Sequence, residues 1–148
     1  MPNLYLMRHG DAEAGRGKPD SQRDLTPRGI RDVMEQALKI KRLAADITTI
    51  IHSPYVRARQ TAELVNEQLN QPMRALDYLV PNGAVEDVVT HISGDDQALL
   101  LICHLPIIAE IAYAYTQRSL PFSPGTVVKI TRGDAFTSSG GLAWQLNP

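Results

Sequence analysis

Three short apolar runs, each stopping at a histidine, constrain this chain most. Leu4–Met7 runs into Arg8-His9-Gly10, Ile47–Ile51 into His52-Ser53-Pro54, and Leu99–Cys103 into His104-Leu105-Pro106. Runs this short, apolar without alternation, read as strands covered on both faces. Between and after them the apolar spacing changes to that of helices. Thr26 and Pro27 suit a cap and first turn, and Ile30, Val33, Met34, Ala37 and Leu38 recur as one inward face. Ser53-Pro54 opens a second helix running to about Leu69, with Ala58, Ala62, Val65 and Leu69 inward. After Pro72, residues 73–79 form a short apolar piece. Val85, Val88, Val89 and Ile92 make a third stripe closed by Gly94. Pro106 starts a fourth helix with Ile107, Ile108, Ile111 and Ala112 inward. Residues 126–131 and 142–146 alternate about a Gly-rich turn and read as a terminal hairpin. Alternating strand and helix implies an α/β fold: a three-layer αβα sandwich with a mostly parallel sheet. Residues 11–24, polar and holding Gly15, Gly17 and Pro19, read as a mobile loop.

Composition narrows the function classes. The chain has 148 residues, a net charge of -1 and 43% hydrophobic residues, which fits one domain over 1–148. One cysteine leaves no intrachain disulfide and no cysteine zinc cluster, and no metal or other cofactor is expected. The balanced charge provides no field for nucleic acid or an anionic membrane. No apolar run is long enough to span a bilayer, and Met-Pro-Asn-Leu-Tyr-Leu-Met-Arg-His does not read as a signal peptide. The expected setting is cytoplasmic.

The polar residues at the run ends converge. Arg8 and His9, Ser53 with Arg57 in the following helical turn, and His104 all fall at the carboxyl edge of the expected sheet, where open α/β sheets bind ligands. Two arginines and two histidines without a firmly placed carboxylate call for an anion, and guanidinium forks suit phosphate oxygens. Helix starts after Ser53 and His104 add backbone donors.

Arg8-His9-Gly10 after a first strand, the run Ser53-Pro54-Tyr55-Val56-Arg57-Ala58-Arg59-Gln60-Thr61-Ala62, and a late strand ending at His104 resemble the histidine phosphatase (phosphoglycerate mutase-like) superfamily. The short length, Arg-His-Gly-Asp, Leu25-Thr26 before Gly29, and His104-Leu105-Pro106 are most similar to its SixA-type phosphohistidine phosphatases. The resemblance implies a nucleophile at His9 and a phosphoryl grip from Arg8, Arg57 and a protonated His104, with Ser53 beside the substrate. It implies a metal-independent phosphohistidine phosphatase working through a phosphohistidine intermediate on a phosphohistidine-bearing protein. A small-molecule phosphomonoesterase of the same superfamily and a non-catalytic phosphoprotein-binding module are the alternatives.

Larger members carry a glutamate acid on a lid inserted after the third strand. Here one helix nearly fills the stretch from Asn70 to Ala98, so no lid is expected there. Asp11, Asp77 and Glu86 remain as acids, with Asp11 equally able to orient the site or cap a turn. A phosphorus–nitrogen bond to imidazole tolerates a missing acid, because its leaving nitrogen can be protonated near neutral pH. Arg16, Lys18 and Arg23 are loop charges that could meet an acidic partner. Arg31 and Arg59 read as surface charges, His52 as structural and His91 as solvent-facing. Cys103 reads as a buried hydrophobe whose side chain diverges from that of His104.

Overall fold

The computed structural model describes residues 2–137 and 139–148. The strands β1 (Asn3–Arg8), β2 (Thr49–His52), β3 (Met73–Ala75), β4 (Leu99–Cys103), β5 (Val127–Thr131) and β6 (Gly141–Leu146) form one sheet in the order β3-β2-β4-β1-β5-β6. β1 to β4 are parallel, and β5 and β6 add an antiparallel hairpin. The helices are α1 (Pro27–Leu43), α2 (Val56–Leu69), α3 (Val85–Ile92) and α4 (Ile107–Thr116).

Alternation along the central strands separates two cores. Leu4, Leu6, Leu99, Leu101 and Cys103 pack with Val88, Ile92, Ile107, Ile108 and Ile111 of α3 and α4. Tyr5, Met7, Leu100 and Ile102 point the other way, onto Val33, Ala37, Ile40, Ala58, Ala62 and Val65 of α1 and α2. Each fully buried Leu or Ile contributes roughly 1.5–3 kcal/mol. The expected three layers and the Cys103 side chain turned away from the site are both present.

Local signals set the boundaries. The Thr26 side chain accepts from Gly29 N at 3.0 Å and caps α1, with Pro27 in its first turn. Gly94, at φ +81°, follows α3.

The buried face of α1 differs from the expected one. Val33, Ala37 and Ile40 are inside, whereas Ile30, Met34 and Leu38 are 38%, 49% and 57% exposed. Met34 and Leu38 line an open groove with Leu64 of α2. The helix is turned because Gln36 faces inward, where its Nε2 donates to Gly125 O at 2.9 Å and Leu146 O at 3.1 Å. The 11–24 segment is also more ordered in its contacts than a free loop. It contains a 3-10 turn at Asp20–Gln22, bridges Ala12 to Leu25, and places Lys18 on Glu13 at 2.6 Å and Asp24 at 2.8 Å.

Candidate active site

Parallel register carries three strand ends to one place. Arg8 pairs with Cys103 across β1 and β4, His9 N donates to Cys103 O at 3.0 Å, and Ser53 N donates to Ile102 O at 2.9 Å. His9, Ser53 and His104 therefore sit side by side at the carboxyl edge. The turn before β5 clamps the same backbone. Gly125 N donates to both Arg8 O and His9 O at 3.0 Å, and Arg8 N donates to Thr126 O at 3.0 Å. Gly125 reaches this geometry at φ +83°, a conformation other residues rarely take. Gly10 lets α1 approach, since a Cβ there would lie 2.7 Å from the Val33 side chain. Its N–H donates to the Thr61 hydroxyl at 3.1 Å, which in turn donates to Arg57 O at 2.8 Å.

The hydrogen bonds of His9 fix its tautomer. Nδ1 lies 2.7 Å from Gly10 O, and a carbonyl only accepts, so Nδ1 carries the proton. In the neutral ring Nε2 is then a bare lone pair, which accepts from Arg57 Nε at 3.3 Å. Burial, above all, with the positive Arg57 and Arg8 nearby, pushes the His9 pKa down to about 4, against the raising effect of the Gly10 bond. At neutral pH this imidazole is uncharged and its Nε2 carries no proton, as a nucleophile requires.

The remaining groups form a positive cradle around it. Arg8 Nη1 donates to Phe122 O at 2.9 Å, while its Nε is buried without a partner. Burial and then Arg57 lower the Arg8 pKa from its ordinary value, a sign of two cations held together. The His104 ring centroid is 4.9 Å from that of His9 and 5.1 Å from Tyr55, and Arg57 lies 5.1 Å above the Tyr55 ring. His104 Nε2 lies 2.7 Å from Ser53 Oγ, and its Nδ1 is buried without a partner. Burial first, then His9 and Arg57, hold the His104 pKa down at about 2. With these shifts both histidines are neutral at neutral pH, and the two arginines supply the positive charge of the cradle.

Several expected residues take other positions. Ser53 is not the α2 cap, because the helix starts later, with Tyr55 as its N-cap. The Ser53 hydroxyl instead accepts from Tyr55 N at 3.1 Å and bonds His104. Asp11 accepts from the Thr26 hydroxyl at 2.7 Å and so ties the turn after His9 to the start of α1. Asp77 and Glu86 lie exposed beyond β3 and at the start of α3. His52 is buried with Nδ1 2.8 Å from Ser53 O, and Arg59 pairs with Glu63 at 3.3 Å on the surface. His91 is exposed, stacked edge-on to Tyr78. Burial pushes the Cys103 thiol up to about 12, away from thiolate chemistry.

The residue that the sequence did not offer is Asp20. Its carbonyl accepts from Arg57 Nη1 at 2.7 Å and its carboxylate from Arg57 Nη2 at 3.2 Å, while Arg23 Nη1 reaches the other carboxylate oxygen at 2.9 Å. The stretch between Asn70 and Ala98 supplies no long insertion, but the 11–24 segment reaches Arg57 through Asp20. The hydrogen bond from Arg23, then the field and bond of Arg57, hold the Asp20 carboxyl below the usual range against the raising effect of burial. It is ionised at neutral pH and has no proton to give. The signal that could have found it is the need of a buried Arg57 for an oxygen partner.

A family model described as histidine phosphatase superfamily (branch 1) matches residues 4–81, more than half the chain. The chain belongs to the histidine phosphatase superfamily. Among curated relatives, phosphohistidine phosphatase SixA of Escherichia coli is 29% identical over 153 aligned positions, covering 98% of this chain and 93% of that protein. A phosphohistidine phosphatase SixA homolog of Haemophilus influenzae is 29% identical over 143 positions, covering 86% and 87%. A solved structure of the protein histidine phosphatase SixA complexed with tungstate superposes with a TM-score of 0.86 at 29% identity, over 97% of this chain and 96% of that one. Among the described residues no group of three or more histidine, cysteine or acidic side chains is arranged to hold a metal ion, and no helix is long and apolar enough to cross a membrane.

Proposed function

We propose that this chain, acting as one domain over 1–148, is a metal-independent phosphohistidine phosphatase that removes the phosphoryl group from a histidine of a protein substrate in the cytoplasm. The observation that carries the reading is the state of His9: neutral, with the proton fixed on Nδ1 by Gly10 O and the Nε2 lone pair turned to Arg57. Similarity to proteins named phosphohistidine phosphatase supports the substrate class. Tungstate, a tetrahedral oxyanion shaped like phosphate, is bound in the SixA structure and supports an anion pocket here.

His9 Nε2 attacks phosphorus in line with the leaving nitrogen. The bond from phosphorus to the substrate imidazole breaks as the bond to Nε2 forms, and the leaving imidazole takes a proton from water. Positive charge growing on the His9 ring is held by the Nδ1–H bond to Gly10 O. Arg57 and Arg8 Nε take the phosphoryl oxygens, where a donor in place costs nothing to reorganise at the moment of reaction. The arriving dianion raises the His104 pKa, so that this ring gains its proton with substrate bound. Water then attacks the phosphorus on His9, releasing phosphate and restoring the neutral ring. Asp20 is ionised and serves no acid step, and a protonatable imidazole leaving group removes the need for one.

The test compares the wild type with His9→Ala on a phosphohistidine-bearing protein, phosphoramidate and an alkyl phosphate, with and without a chelator. The reading expects chelator-insensitive turnover that prefers the phosphorus–nitrogen substrates and vanishes in the variant. Undiminished turnover by His9→Ala would refute the nucleophile. Binding without turnover by the wild type would point to a phosphoprotein-binding module.

A further inference from the structure

We propose that Asp20 is a displaceable counter-ion seated where Arg57 would take phosphoryl oxygens, and that the 11–24 segment carrying it is a gate in front of His9. The inference rests on the reading of this site as a phosphoryl pocket. It arises from the Arg57 guanidinium, each of whose nitrogens makes a hydrogen bond: Nε with His9, Nη1 with Asp20 O and Nη2 with Asp20 Oδ2. Main-chain and carboxylate oxygens thus fill the fork geometry in which a guanidinium grips phosphate. His9, Arg57 and His104 are 7%, 4% and 1% exposed. An anion that takes the two N–H groups held by Asp20 O and Asp20 Oδ2 therefore has to take the place of Asp20.

The gate is built to give way. The Asp20 side chain is 56% exposed, so its carboxylate is already largely hydrated and loses little on release. Its second oxygen stays with Arg23, three residues on, so segment and counter-ion can leave together. Gly15 and Gly17, at φ +71° and +74°, stand before the 3-10 turn and supply freely turning backbone. The ties from Lys18 to Glu13 and Asp24 lie within the segment and can move with it, and beyond the Asp20 bonds α2 holds it by a neutral amide, Gln60 Nε2 donating to Asp24 Oδ1 at 3.0 Å. The closed state is therefore shallow, and Asp20 opposes binding of any oxyanion without touching the bond that is broken.

Titration of the full chain with inorganic orthovanadate by calorimetry tests this. Asp20→Asn keeps the shape of the side chain and removes its charge, and should tighten orthovanadate binding about fivefold, the scale of one partly exposed ion pair. Turnover of phosphoramidate by that variant should show a lower KM and an unchanged kcat. Asp24→Asn is the control within the same segment, because Asp24 pairs with Lys18 and Gln60 and not with Arg57, and should leave binding as it was. In the wild type, orthovanadate should speed hydrogen exchange at the amides of Glu13, Lys18 and Gln22, whose acceptors lie within the segment or at Asp24. Weaker or equal binding by Asp20→Asn, or slower exchange on adding orthovanadate, would overturn the gate. Failure of every form to bind orthovanadate would overturn the phosphoryl-pocket reading and the gate with it.

Discussion

Replacing His9 by glutamine should make the protein markedly more resistant to mild acid. His9 has a pKa of about 4 in the folded chain against an ordinary 6.5. The unfolded chain therefore takes up a proton at this residue across the interval in which the folded chain does not. Stability falls as pH drops from 6.5 towards 4, and at pH 7.5 the effect is absent. With those two values, linkage puts the loss at about 2 kcal/mol by pH 5 and about 3 kcal/mol by pH 4. His104, held at about 2, adds a loss of similar size by pH 5. The wild type should therefore lose about 4 kcal/mol between pH 7.5 and pH 5 from the pair, and His9→Gln about half of that. Carboxylates with lowered pKa, such as Asp20 and Asp46, titrate below this interval in both proteins. Urea unfolding at the two pH values, read by circular dichroism, measures the difference. Equal losses in wild type and variant would refute the claim that burial keeps His9 neutral, and with it the lone pair at Nε2.

Two further substitutions probe the packing that holds the site. Gly29→Ala would drive a Cβ into the Asp11 carbonyl, and should lower stability by about 2 kcal/mol in thermal unfolding while weakening turnover through the displaced turn after His9. Cys103→Ser would bury a hydroxyl in the α3/α4 core, costing about 1–3 kcal/mol in urea unfolding, yet kcat should stay near that of the wild type, since Cys103 faces away from His104.

The parts of the site visible in the sequence are those set by strand ends. β1 and β4 are buried on both faces, so their apolar runs stop abruptly where the chain reaches the sheet edge, at His9 and His104. Arg57 was legible for a related reason, one turn into a helix that begins at that edge. The α1 face was not, because Ile30, Met34 and Leu38 have helical spacing as regular as that of the true core stripe. What turns the helix is a polar residue, Gln36, whose acceptors lie 89 and 110 positions away. Asp20 was hidden for the same kind of reason. Its partner is 37 residues on, and a short 3-10 turn among glycines and prolines has no period to read. The place of His104 was legible at a strand end, but its lowered pKa was not, since burial beside two arginines is a property of the assembled site.

The clamp of Gly125 on the backbone of Arg8 and His9 has a consequence for the order in which this molecule can become active. His9, the proposed nucleophile, directly follows β1, and that strand is bounded by β4 on one side and β5 on the other, with Leu4 opposite both Leu99 and Ile130. Loops that long close slowly, so contacts of this separation form late. A nascent chain that has emerged only as far as α4 carries His9, Arg57 and His104 but lacks the turn that holds the first of them. The proposed chemistry therefore waits on the turn before β5, and a chain ending at α4 holds its site residues without the clamp on Arg8 and His9.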